Sequence, residues 1–390
     1  MRRLEYAGWA GYTTFAMGFT ALASALPFLR FWLHAPYAML SFVLLAWAGG
    51  NTVGYFGGNA LVDRAGSPRV LRAGLLTFSA GYAVLVFFHV LTVWFVVLAL
   101  VGGGVALIDV ASARLVAHVH RPDPARALNR LNIFFGLGAI LGALTTALSL
   151  RWFQSPVPVF VFLIALAVAG LLLLGAVAVL PGQATAVQRD RTATSVWRLP
   201  WVLRLGFATF LYIAAEAGFG TWISPFAFRE AHVNAPVAAL FPMVFWGGLM
   251  VTRILASLPR RSFNLSTILV AGSLAGAALS AVALAISHSL ALLLAAAFLA
   301  GCSYGPLFPW FLALASRRAP GREGGIYTVL YMAVALAALI VPWGEGQIFS
   351  PVPYLTLAIT PVVSAVMGLV LWIDHRLERT PRASSVHQTT

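Results

Sequence analysis

The chain has 390 residues, 61% hydrophobic and 9% charged, with a mean hydropathy of +0.89 and a formal net charge of +14. A soluble domain carries about 25% charged residues, so a water-soluble fold is excluded, and at ~20 apolar residues per crossing the composition supplies on the order of twelve transmembrane helices. Every basic residue is arginine; without lysine there is no Walker A lysine, Schiff-base lysine or lysine nucleophile, which excludes ATP-driven pumps, rhodopsins and pyridoxal enzymes.

In chain order, Arg2 and Arg3 precede an apolar run over about 6–29. It is longer than a signal-peptide core and lacks a small-residue cleavage site, so it reads as a retained first helix. Charged and proline-rich punctuation then predicts spans near 36–61, 73–90, 92–118, 131–152 and 158–180. A polar connector over 181–200 carries Arg189, Asp190, Arg191 and Arg198. The second set is predicted near 201–226, 236–257, 265–287, 289–315, 325–348 and 353–374. The expected fold is all-α integral membrane: a six-helix bundle over 1–180, a cytoplasmic linker over 181–200, a second bundle over 201–376 and a cytoplasmic tail over 377–390.

Arginine occupies alternate loops: Arg2 and Arg3; Arg64, Arg69 and Arg72; Arg121, Arg126 and Arg130; the connector; Arg260 and Arg261; Arg317, Arg318 and Arg322; and Arg376, Arg379 and Arg382. The other side holds Arg30, Arg151 and Arg229. Positive charge is retained on the cytoplasmic side, so both termini are expected there, in a cell membrane, with a bacterial inner membrane the expected setting. This distribution is topology and does not point to nucleic acid. An offset of about 198 to 200 residues aligns Pro27 with Pro225, Ala35-Pro36 with Ala235-Pro236, and Trp47-Ala48-Gly49 with Trp246-Gly247-Gly248. Two similar bundles in one orientation suit a site at their interface that rocking exposes to either side.

The loop after the second span reads Asn59-Ala60-Leu61-Val62-Asp63-Arg64-Ala65-Gly66-Ser67-Pro68-Arg69. It resembles the Gly-x-x-x-Asp-Arg-x-Gly-Arg signature of the major facilitator superfamily: Asp63, Arg64, Gly66 and Arg69 fit, whereas Asn59 and Ser67 depart. A carboxylate and arginines at helix ends can latch the bundles on the cytoplasmic side. Further stretches resemble the fucose:proton and glucose/galactose symporter-like branch: Gly102-Gly103-Gly104 with Asp109, Leu131-Asn132-Ile133-Phe134-Phe135-Gly136, Tyr212 to Glu216 with Gly220 and Trp222, Phe245-Trp246-Gly247-Gly248 with Arg253, and Gly305-Pro306-Leu307-Phe308-Pro309. Those symporters typically carry Asn and Asp before the first-helix proline, and often Asn after the fourth-helix acid; here the residues are Ala23, Ser24 and Ala25, and Ala113.

Charges inside a bilayer cost at least ~2.5 kcal/mol each, so the few present are functional candidates. Asp109, Arg114, Glu216 and Arg253 lie well inside predicted spans. Asp109 falls ~6 Å past the middle of the fourth span at 1.5 Å per residue and can exchange a proton as the cavity changes sides; the resemblance places the proton-carrying acid at this position. The alternative is a carboxylate permanently neutralised by Arg114. Glu216 can bind substrate or join proton coupling, or be a protonated acid bonded to a neighbouring helix. Arg253 can pair with Glu216 or a substrate oxygen, or snorkel to the interface. Asn132, Tyr212, Trp222, Trp246, Phe308 and Trp310 are the remaining substrate-binding candidates, each with packing as the alternative. Asn51 is a further uncharged polar candidate, and Glu345 reads as solvated at the outer mouth. Cys302 is a packing residue, no Cys/His spacing suits a metal, and no nucleophile–base–orienter triad is apparent, so neither enzyme nor cofactor is expected. The expected function is proton-coupled uptake of a sugar or similar small polar solute by a monomer in the lipid bilayer, against proton-driven efflux of lipophilic or cationic compounds.

Overall fold

The computed structural model describes residues 2–120, 124–175, 196–257, 264–285, 289–320 and 322–379. Arg121, Arg189, Asp190, Arg191, Arg260, Arg261 and Arg382, most of the 181–200 connector and the chain beyond 379 lie outside the described residues. Among the described residues, twelve helices are long and apolar enough to cross a membrane. They are α1 (Arg2–Trp32), α2 (Tyr37–Ala65), α3 (Ser67–Phe87), α4 (Leu91–Val119), α5 (Pro124–Phe153), α6 (Val157–Leu174), α7 (Pro200–Glu230), α8 (Ala235–Ala256), α9 (Leu265–Ala285), α10 (Leu290–Arg318), α11 (Glu323–Phe349) and α12 (Pro353–Arg379). The chain is therefore a multi-pass membrane protein of two six-helix bundles.

Local sequence sets the irregularities. Pro27 and Pro225 stand inside α1 and α7 at matching places, each removing a backbone donor. α10 is interrupted at Gly305-Pro306, between Leu290–Tyr304 and Leu307–Arg318. α8 opens with the short turn Ala235–Ala238, whose Val237 N–H donates to the Asn234 side chain at 3.0 Å.

The packing repeats six helices later. In the first half α1 lies on α5 and α6, α2 on α4, and α3 on α6; in the second, α7 lies on α11 and α12, α8 on α10, and α9 on α12. The halves meet along α2–α11 and α5–α8, which the same relation exchanges, with α1 against α7. Two glycine crossings fix the register. A methyl group at Gly50 would stand 1.8 Å from the Ala99 carbonyl oxygen and one at Gly102 2.0 Å from that of Trp47; at Gly248 and Gly301 the distances are 2.1 Å to Phe298 and 2.0 Å to Phe245. Such approach is how helices associate where lipid offers no hydrophobic drive. It pairs Gly50 with Gly248 and Phe245 with Trp47, which corrects by one residue the alignment of Gly49 with Gly248 and Trp47 with Trp246. Two residues beyond α1 and α7, His34 (φ 49°) and His232 (φ 52°) adopt the same left-handed conformation, again 198 apart.

The side holding the start of α1 and the end of α12 is termed the terminal side. On the far side the halves are in direct contact. Gln347 Nε2 of α11 donates to the Ala38 carbonyl and to Ser41 Oγ of α2, both at 2.8 Å, and Ser224 Oγ of α7 donates to the Ser24 carbonyl of α1 at 3.3 Å. Tyr37, Trp222 and Phe349 pack ring on ring in the same seal, with centroids 4.9 to 6.1 Å apart. On the terminal side, by contrast, the pairs Glu5–His120, Asp63–Arg114 and Asp374 with Arg204 and Arg318 each join helices of one half.

Candidate functional site

The parallel helices α2 and α4, drawn together at Gly50, Gly54 and Gly102, bring Tyr55 level with Asp109. The Tyr55 hydroxyl donates to Asp109 Oδ2, and Tyr12 of α1 lies beside the same carboxylate. Asn51, one turn before Tyr55, donates to the Gly102 carbonyl at 3.5 Å. Arg114 does not neutralise Asp109. Its guanidinium donates to Asp63 Oδ1 and Asn59 Oδ1, both at 3.1 Å, and so ties α4 to the terminal end of α2. Among the described residues, Asp109 is held by the neutral Tyr55 hydroxyl with no cation on it.

The second half presents a charged pair. Arg253 of α8 donates from Nη2 to Glu216 Oε1 at 3.5 Å and to the Tyr212 hydroxyl at 3.4 Å, both on α7. Its Nε donates to the Gly305 carbonyl at 2.9 Å, one of the carbonyls at the α10 interruption. Arg253 is thus held inside the protein and does not snorkel. Glu216 is 6% exposed, one turn along α7 from Tyr212. Behind this pair Phe308 stacks on Tyr212 at 6.2 Å and meets Tyr331 of α11 edge-on at 5.6 Å. Arg253 is within electrostatic range of Tyr12, and Tyr331 of Asp109, across the gap between halves. With the far side sealed while Arg253 and Tyr331 remain accessible, the crevice opens toward the terminal side.

The predicted residues divide. Asp109 lines one wall and Arg253 and Phe308 the other, with Glu216 and Tyr212 buried behind Arg253. Trp246 joins the two, touching Phe19 of α1 at 6.3 Å and Phe135 of α5 at 6.0 Å. Asn132 is exposed on α5, and Trp310 is half-buried on α10, one turn beyond Pro306. Trp222 does not line the crevice: it is 0% exposed in the far-side seal, its indole N–H donating to the Pro342 carbonyl at 3.1 Å. Glu345, read from the sequence as solvated, is buried between α7, α11 and α12, because those helices run on beyond it. Tyr12 and Tyr55 are site residues the sequence reading passed over. The signal available was Tyr55 beside the small residues of α2, on the face toward α4.

At the terminal ends, Gly66 (φ 84°) closes α2 with its N–H on the Val62 carbonyl at 2.9 Å, a conformation that favours glycine and turns the chain into Pro68 of α3. Asp63 joins Arg114 within the first half, and Arg64 and Arg69 are exposed, so in this conformation none of these side chains bridges the bundles among the described residues. The second half carries a tighter counterpart: Asp374 of α12 accepts from Arg204 Nε of α7 at 2.7 Å and from Arg318 of α10, which also reaches Glu378 at 2.6 Å.

The sequence profile described as Major Facilitator Superfamily matches residues 8–342. The chain belongs to that superfamily. Among solved structures, this member is similar to a D-xylose–proton symporter, with a TM-score of 0.79 and 15% identity over 95% of this chain and 97% of the other. It is also similar to a nucleoside transporter (TM-score 0.78, 11% identity, 95% and 98% covered) and to a peptide transporter in complex with sulfate (0.74, 14%, 96% and 94%). At these identities the likeness establishes the fold. No curated protein matches the superfamily member by sequence.

Proposed function

We propose that the protein is a proton-coupled secondary transporter that takes up a sugar or similar small polar solute by alternating access, related to the fucose:proton and glucose/galactose symporter-like branch. It acts as a monomer in a bacterial inner membrane, with both termini cytoplasmic and the bundles over 1–180 and 201–376 rocking about the 181–200 linker. The crevice is then the inward-facing site. The observation that carries the reading is the Asp109 carboxylate, held at the crevice wall by the Tyr55 hydroxyl, with Tyr12 beside it and no cation on it among the described residues. Hydroxyl donors tolerate both the charged and the neutral acid, so Asp109 can load and release a proton without breaking an ion pair. Opposite it, Arg253, backed by Glu216 and Tyr212, offers hydrogen bonds to a polar solute, between the aromatic faces of Trp246, Phe308 and Tyr331. The residues at 23–25 and 113, which lack the amides and acid typical of that branch, leave fewer groups for sugar hydroxyls on α1 and α4.

A second reading, proton-driven efflux of lipophilic cations, is favoured by the same cation-free carboxylate together with those aromatic walls. Proteoliposomes holding a pH-sensitive dye separate the two. Externally added pentoses and hexoses should acidify the lumen if solute and proton move together, whereas a lipophilic cation exchanging for protons should make it alkaline. Sugar-independent lumen pH with a cation-driven rise would replace the first reading by the second.

A further inference from the structure

Glu345 is a second carboxyl that the site above does not use. It is 3% exposed, and neither carboxylate oxygen has a hydrogen-bond partner among the described residues. The side chain lies flat on the α7 backbone at Gly218: a methyl group there would stand 2.4 and 2.5 Å from its two oxygens. On the α12 side, Thr356 Oγ1 bonds to the Glu345 backbone carbonyl at 3.2 Å and leaves the carboxyl alone.

The residues around it in sequence make the far-side seal. Pro342 accepts from Trp222, Gly346 packs so closely that a methyl group would stand 2.3 Å from Ser41 Cβ, and Gln347 bonds to Ala38 and Ser41. Charged and titratable groups on the neighbouring elements bond elsewhere or stand at the far or terminal ends of their helices. On α7, Glu216 bonds to Arg253, while Arg229 pairs with Glu230 at 3.7 Å and donates to the Ser350 carbonyl at 2.8 Å. Tyr37 of α2 lies beneath Arg30 of α1 at 5.3 Å, and Tyr354 of α12 packs on Phe226. Arg317 and Arg318 of α10, and Asp374, His375 and Arg376 of α12, sit at the terminal ends of their helices.

A carboxylate so enclosed meets no donor among the described residues, and an unpaired charge in such a place is costly, whereas the neutral acid is tolerated. We infer that Glu345 is a second proton-binding site, occupied while the far-side seal is closed and emptied to the far-side solution when the seal opens. The inference rests on the alternating-access reading above, but not on Asp109 or on the solute. It makes seal opening sensitive to far-side pH: low pH holds the seal shut, and high pH releases it.

Pulsed EPR distances test it directly. Spin labels at Val90→Cys and Val352→Cys, in the Cys302→Ser background, stand on exposed far-side loops of the two halves. In nanodiscs, raising the pH should shift the distribution from the short to the long distance. Glu345→Gln should hold the short distance at every pH, and Asp109→Asn should keep the shift. A shift that persists in Glu345→Gln, one that disappears only in Asp109→Asn, or no shift in the parent would overturn the inference. Should Glu345→Gln fail to fold, Glu345→Met serves in its place. Failure of both neutral variants would also contradict it, since the sealed state is argued to hold a neutral group. Loss of solute-driven proton movement alone would instead fall on the proposed function.

Discussion

The Tyr55 hydroxyl of α2 donates to the Asp109 carboxylate of α4, while Arg114, five residues further along α4, bonds to Asp63 and Asn59 instead. The acid and the nearest arginine of its own helix therefore serve different tasks. One faces the crevice between the halves, and the other ties two helices of one half at the terminal side.

Tyr55→Phe keeps the ring and removes this donor. A hydrogen bond to a charged group contributes about 1.5–3 kcal/mol, so proton-driven uptake should fall about tenfold or more. Thermal melting should fall by only a few degrees, since the ring packing is retained and the loss is that one bond. Transport assays on reconstituted Tyr55→Phe, run beside melting curves, check both halves of this expectation.

Arg253→Ala would leave Glu216 buried and without its cation, at a cost of about 3–5 kcal/mol. Arg253→Lys should not restore the site, because a single ammonium cannot serve Gly305, Tyr212 and Glu216 together. The double variant Arg253→Ala/Glu216→Gln should recover much of the lost melting temperature while transport stays impaired. Equal melting temperatures in the single and double variants would contradict the pairing.

The two aspartates at the terminal ends should behave differently. Asp63 is 40% exposed at its side chain, so Asp63→Asn should cost under about 1 kcal/mol. Asp374 is 4% exposed between two arginines, and Asp374→Asn should cost about 3 kcal/mol or more. Denaturation in mild detergent ranks the pair.

Glycine substitutions test the packing register. Gly50→Ala, Gly102→Ala, Gly248→Ala and Gly301→Ala would each drive a methyl group into a facing backbone carbonyl, so folded yield should drop sharply, with a penalty of about 1–3 kcal/mol or more. Gly49→Ala, with Leu339 at 3.9 Å, and Gly247→Ala, with nothing within 4 Å, should be tolerated. Monodisperse yield by size-exclusion chromatography gives the answer.

The sequence carried the twelve spans and the repeat because uninterrupted hydropathy and loop arginines are one-dimensional signals. It located the fifth span closely, 131–152 against Arg130–Phe153, but placed the third near 73 where α3 begins at Ser67, in polar sequence. Asp109, Glu216 and Arg253 were legible as charges that lipid would not accept. Tyr12 and Tyr55 were not, since tyrosine is common at membrane interfaces and only the pairing of α2 with α4 aims Tyr55 at the acid. Glu345 and Trp222 were misjudged for a shared reason: position along a helix does not say which neighbouring helices cover it, and here α7 and α11 cover each other.

The central claim is that Asp109 carries the coupled proton, and Asp109→Asn in proteoliposomes addresses it most directly. Gradient-driven accumulation should be abolished, while solute exchange at equal concentrations stays within about twofold of the parent. Uphill accumulation undiminished in Asp109→Asn would contradict the account.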